Sequence, residues 1–157
     1  MKKPADRYAV QALEMKAAIV ALASSCRLTL AREEADVYGL TLSYQNEVAG
    51  VQFEFSPPDG GGWGGVIARL VDGQFPKHPI HINHSTHLNR FDVRDLAVER
   101  ISSIPRLADK IGRIEALSAT DIVEIVDCCG SDVLQGDFTV FSRLREIVMK
   151  RVAQLGA

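Results

Sequence analysis

A chain of 157 residues with 46% hydrophobic and 24% charged residues and a mean hydropathy of +0.02 has the balance of a water-soluble globular fold, not of a disordered or membrane-spanning one. A net charge of −2 and a pI of about 6.1 argue against a protein that clamps a nucleic-acid backbone, which requires a basic face. The length suits a single domain over residues 1–157, able to bury about two thirds of its unfolded surface without a disulfide or a metal.

The N-terminal stretch predicts a helix of about twenty residues. Pro4 fits a first turn, and Tyr8, Ala12, Met15, Ile19, Leu22 and Cys26 recur at alternating spacings of four and three, which makes one buried stripe. Lys2 and Lys3, the apolar run Ala17 to Ala23 and then Ser24-Ser25-Cys26 loosely resemble a lipoprotein signal, but Asp6, Arg7, Glu14 and Lys16 interrupt it. With three cysteines, two of them the neighbours Cys128 and Cys129, a reducing cytoplasmic location is expected.

A short extended piece is expected near Leu28 to Ala31. Tyr38, Leu40, Leu42 and Tyr44 then alternate with small or polar residues, as do Val51, Phe53 and Phe55, and both runs read as half-buried antiparallel strands joined around Asn46 to Gly50. Pro57-Pro58 closes the second run, and the segment Asp59 to Gly65 makes the next reversal before a third strand at Val66 to Val71. Trp63 stands in that glycine-rich reversal, either at its tip as a contact residue or folded inward against the sheet. Residues Phe75 to Asn89 hold two prolines and no helical period, and they read as a long loop.

Four helices are predicted after the loop. Asp92 caps the first, to about Ser103, with Leu96 and Ala97 inward. Pro105 opens the second, with Leu107, Ile111 and Ile114 on one face. The third starts at Ser118 or Thr120, with Ile122, Val126, Cys129 and Val133 inward, and Asp137 caps the last, striped by Phe141, Leu144, Val148, Val152 and Leu155. The order implies an α+β fold: an N-terminal helix, a three- to four-stranded antiparallel meander, a long loop, and C-terminal helices packed on the sheet.

The chemistry with most distinct residues lies in the loop. His78, His81, His84 and His87 are the four histidines of the chain and stand three apart. On a straight strand, neighbours three apart point to opposite faces; a curled loop could bring two of His81, His84 and His87 onto one ion, with Asp92 as a further ligand. Surface or partner-contact histidines are the plainer reading. Protonating all four moves the formal charge from −2 to +2, so an acidic partner of the loop would bind more tightly as pH falls and a metal less tightly.

Asp92, Asp95 and Glu99 follow along one helix face, in the pattern of a metal-assisted hydrolase or of acids that complement a helix N-terminus. His84-Ser85-Thr86 matches only half of a paired His-x-Thr signature. Gly60, Gly62 and Gly65 join strands rather than opening a helix, which argues strongly against dinucleotide binding.

The segments YGLTLSYQNEVAGVQFEFSP, LVDGQFP and VLQGDFTVFSRLREIVMKRV together resemble a loosely defined group of small bacterial cytosolic α+β proteins, several of immunity-protein type. The resemblance implies a non-enzymatic module that neutralises a protein partner, such as a toxin, by covering it. It assigns no site residue. Trp63, His78, His81, His84 and His87 are the candidate partner contacts, and no cofactor is expected. The alternatives are a zinc-assisted hydrolase using the His78–His87 loop with Asp92 or Asp95, and a subunit that self-associates through its helices.

Overall fold

The computed structural model describes residues 4–56, 62–77 and 89–156. Its architecture is α+β, with N-terminal helices, an antiparallel sheet and C-terminal helices packed on one face of that sheet. The predicted long first helix is three segments: α1 (Pro4–Arg7), α2 (Ala9–Ala18) and α3 (Val20–Cys26), with a 50° bend between α2 and α3. Ile19 sits at the bend, 2% exposed, so the turn of the helix axis keeps the apolar stripe on the core.

Strands β1 (Thr29–Ala35), β2 (Leu40–Gln45), β3 (Ala49–Ser56), β4 (Gly62–Arg69) and β5 (Arg90–Asp92) lie in chain order in one sheet, every neighbour antiparallel. One strand more than expected is present, because β5 is three residues long and is recognised only through its pairing with Val66 to Ala68. The extended piece at Leu28 to Ala31 is a full strand. It carries a bulge between Leu30 and Arg32, which places Glu33 opposite Leu42 and Arg32 opposite Ser43.

Alternation decides which face is covered. Leu40, Leu42, Tyr44, Val51, Phe53, Trp63, Ile67 and Phe91 point to the helices and are all buried, and each large side chain taken out of water in this way contributes about 1.5–3 kcal/mol. Phe55 on the same face is half-buried, stacked between Tyr8 and Trp63 with ring centroids at 6.3 and 5.3 Å. Tyr38 was expected among the buried strand residues and is 81% exposed. It precedes β2, in a turn where Asp36 Oδ1 accepts from the N–H groups of Tyr38 (2.7 Å) and Gly39 (3.1 Å), and that local bonding draws the chain out of the strand.

After the sheet come α4 (Val93–Glu99), a 3₁₀ turn at Ile101–Ser103, α5 (Ala108–Gly112), α6 (Ala119–Leu134) and α7 (Val140–Gly156). Asp92 caps α4 as expected, accepting from Arg94 N–H at 2.7 Å. Leu107 and Ile111 are buried but Ile114 is 79% exposed. The reason is local: Ile114 has φ 55°, a left-handed conformation that ends the helical face before reaching it. Leu155, the last residue of the α7 stripe, is likewise exposed at 78%.

Helix α6 is the central support. Ser118 and Asp121 cap it reciprocally, Ser118 Oγ accepting from Asp121 N–H (3.0 Å) and Asp121 Oδ2 from Ser118 N–H (3.1 Å). Gly130 lets α6 approach β4 and α4, since a Cβ there would stand 2.8 Å from Ile67 Cδ1 and 3.2 Å from Leu96 Cδ2. At its far end Asn46, in the β2–β3 turn, donates from Nδ2 to Cys26 O (2.9 Å) and Leu134 O (2.7 Å). Its Oδ1 accepts from the N–H groups of Val48 and Ala49, both at 2.9 Å. One amide thus caps α3 and α6 and closes the turn between two strands.

Candidate partner-binding surface

The period that buries one side of the N-terminal helices also arranges the other. Val10, Leu13 and Ala17 follow in steps of three and four on one side of α2, away from Ala12 and Met15, and Val20 continues the row at the start of α3, beyond the 50° bend. All four are exposed, Val10 at 63%, Leu13 at 68% and Val20 at 64%. An ordinary surface helix turns polar residues outward, whereas this one also carries a row of apolar residues on its outer side. The face is held in place: Lys16 Nζ lies 2.6 Å from a Glu33 carboxylate oxygen and ties α2 to β1. Sequence reasoning stopped at the inward stripe, which already explained the helix; the apolar residues opposite it were the signal to follow.

The residues singled out by sequence have several fates. Trp63 takes the inward alternative. It lies in β4, 4% exposed, its backbone N–H donating to Leu117 O at 2.9 Å, so it is not available as a surface contact. His78, His81, His84 and His87 lie outside the described residues. Among the described residues no group of three or more His, Cys, Asp or Glu side chains could hold a metal ion.

The three carboxylates after the loop are spread over separate structural tasks. Asp95 pairs with Arg151 at 2.9 Å and Glu99 with Arg143 at 3.2 Å, which fastens α7 to α4. Asp92 is occupied as the α4 cap; protein crowding around its carboxyl pushes its pKa up by desolvation, against the pull of the Arg94 N–H. A hydrolase would need at least one of these acids directed at a shared point with another reactive group, and Asp95 and Glu99 are instead directed at arginines.

The thiols are equally plain. Cys26 and Cys129 are buried core residues on α3 and α6, and burial pushes the Cys129 thiol up to about 11. Cys128 is exposed on α6, and its pKa is raised by desolvation and then by Asp127 and Glu124. None is an activated nucleophile at neutral pH.

Two clefts among the described residues are large enough for a small molecule. One, of about 540 Å³, lies where α3, α6 and the β2–β3 turn meet, among Ser25, Arg27, Asn46, Glu47 and Gln135. The other, of about 470 Å³, runs over the glycine-rich start of β4 beside Glu54, Arg94 and Glu115, where Arg94 Nη2 donates to Glu115 O at 2.7 Å. Neither brings a nucleophile and a base together among the described residues. No helix among them is long and apolar enough to cross a membrane by itself. No known family model matches the chain, and no match was found among curated proteins or solved structures.

Proposed function

We propose that this protein is a non-enzymatic binding module that docks another protein on the outer face of α2 and α3. The observation that carries the reading is the exposed row Val10, Leu13, Ala17 and Val20, backed by a rigid support of sheet and α6. Its spacing is that of the anchors by which one helix engages a groove or a second helix. The loose resemblance of three segments to immunity-type proteins supports a toxin as that partner, neutralised by being covered.

The test uses a partner isolated in stoichiometric amount with the native chain and then purified. It should rebind the wild-type protein and lose about 100-fold in affinity for the Leu13→Glu, Val20→Glu double variant, since buried apolar anchors dominate such interfaces. Both side chains are about two thirds exposed, so the variant keeps its fold, as unchanged circular dichroism and melting would verify. Equal affinity of the two proteins for the partner overturns the reading.

A further inference from the structure

We infer that the open edge of the sheet, strand β1, pairs with β1 of a second copy in one antiparallel register that places Arg32 of each chain opposite Glu34 of the other. Among the described residues strand β1 has a neighbour on one side only, and Thr29 to Glu34 are all exposed. Asp36 N–H donates to Gly39 O across the turn, so by the alternation of an antiparallel ladder Glu34 and Arg32 also direct their backbone groups to β2. Glu33 and Ala35 therefore turn their N–H and C=O groups to the open side.

That parity leaves few symmetric registers. Centring the pair on Arg32 sets two guanidinium groups directly opposite, and centring it on Glu34 sets two carboxylates opposite. Centring it on Glu33 gives a hydrogen-bonded central pair with two Arg32–Glu34 pairs on the solvent face. The two central Glu33 side chains fall on the helix face, and each is already neutralised by Lys16 of its own chain at 2.6 Å.

Charges and a bulge on an edge ordinarily repel foreign strands. Within each chain Arg32 Nη2 already lies 2.6 Å from Glu34 Oε1, and a second copy in this register joins the two pairs into a square of four alternating charges, which a neutral foreign strand does not offer. The bulge at Ala31 keeps the seam short, so the expected dimer is a weak, concentration-dependent one rather than an obligate assembly. Pairing leaves the outer face of α2 and α3 uncovered and presents it twice, which would raise avidity for any multivalent partner.

Sedimentation equilibrium up to about 100 µM should show the wild-type chain dimerising. Arg32→Glu and Glu34→Arg should each weaken the dimer about tenfold or more, by turning both cross-strand pairs repulsive. The double variant Arg32→Glu, Glu34→Arg, and an equimolar mixture of the two single variants, should dimerise like the wild type. Each variant is checked for an unchanged melting temperature, expected because Arg32 and Glu34 are 60% and 56% exposed. A wild-type chain that stays monomeric, single variants that dimerise normally, or no recovery in the double variant overturns the inference. None of these outcomes bears on partner binding through Leu13 and Val20, which is read separately.

Discussion

Helices α6 and α2 are both rich in apolar residues and use them in opposite ways. Helix α6 turns ten of its sixteen residues into the protein, from Ala119 through Leu134, and is capped at Ser118 and Asp121. Helix α2 buries Ala12 and Met15, has no side-chain cap at its start, and leaves Val10 and Leu13 in solvent. The contrast separates two uses of apolar area: on α6 it holds the fold, and on the outer side of α2 it adds no stability while it stays in water.

The largest expected effect comes from truncating one leucine-sized side chain in each helix. Ile125 of α6 is fully buried, and Ile125→Ala should cost about 3 kcal/mol through lost transfer energy and the cavity left behind. Leu13→Ala should change stability by less than about 0.5 kcal/mol, since the side chain is already in water. Urea unfolding of both variants measures the difference. A costly Leu13→Ala would mean that the outer face is already packed within the chain, and the comparison would fail.

The cap of α6 sharpens the contrast further and carries a pH signature. Burial of Asp121 works to raise its pKa, but bonds from Lys110 Nζ (2.8 Å), Ser118 N–H (3.1 Å) and Arg106 Nη2 (3.1 Å) overcome this and hold it at about 2. Lys110 and Arg106 are about half exposed, so solvent screens part of their attraction. Asp121→Asn should therefore cost about 1 to 2 kcal/mol at neutral pH. Because the folded pKa lies below the unfolded value of about 3.9, that stability is present above about pH 4 and is lost as pH falls towards 2. Unfolding of wild type and variant should converge over that window. A difference that persists unchanged at about pH 2 would assign the effect to shape rather than charge.

How much of this was legible in the sequence follows from which interactions are local. Val51, Phe53 and Phe55 alternate, Ser118 and Asp121 stand three apart before an apolar run, and Asp92 precedes α4, so β3, α6 and α4 were readable from neighbouring residues alone. Strand β5 was not, because Arg90 to Asp92 is a strand only through Val66 to Ala68. Ile114 carried the right spacing for a core position and failed on a left-handed backbone angle that no side-chain pattern announces. For the candidate site, Asp95 and Glu99 were read with the histidine loop before them, whereas their partners Arg151 and Arg143 arrive from α7, 56 and 44 residues later. The row Val10, Leu13, Ala17 and Val20 was the reverse case, present in the local pattern and masked by the equally regular stripe on the other side.

The smallest expected effect concerns how well the N-terminal helices fit the core they cover. Tyr8 is 3% exposed, packs edge-on to Phe55 at 6.3 Å between ring centroids, and its buried hydroxyl has no hydrogen-bond partner among the described residues. A buried hydroxyl that has given up water without a replacement costs free energy, while the ring that carries it contributes through burial and the aromatic contact. Tyr8→Phe keeps the ring and removes the unpaired group, so it should stabilise the protein by up to about 1 kcal/mol, read as a rise of a few degrees in melting temperature. No comparable gain is open on α6, where Asp121 is the buried polar side chain and is fully bonded. Destabilisation by Tyr8→Phe would show that the hydroxyl has a partner in solution, and the start of α2 would then be as well satisfied against the core as α6 is at Asp121.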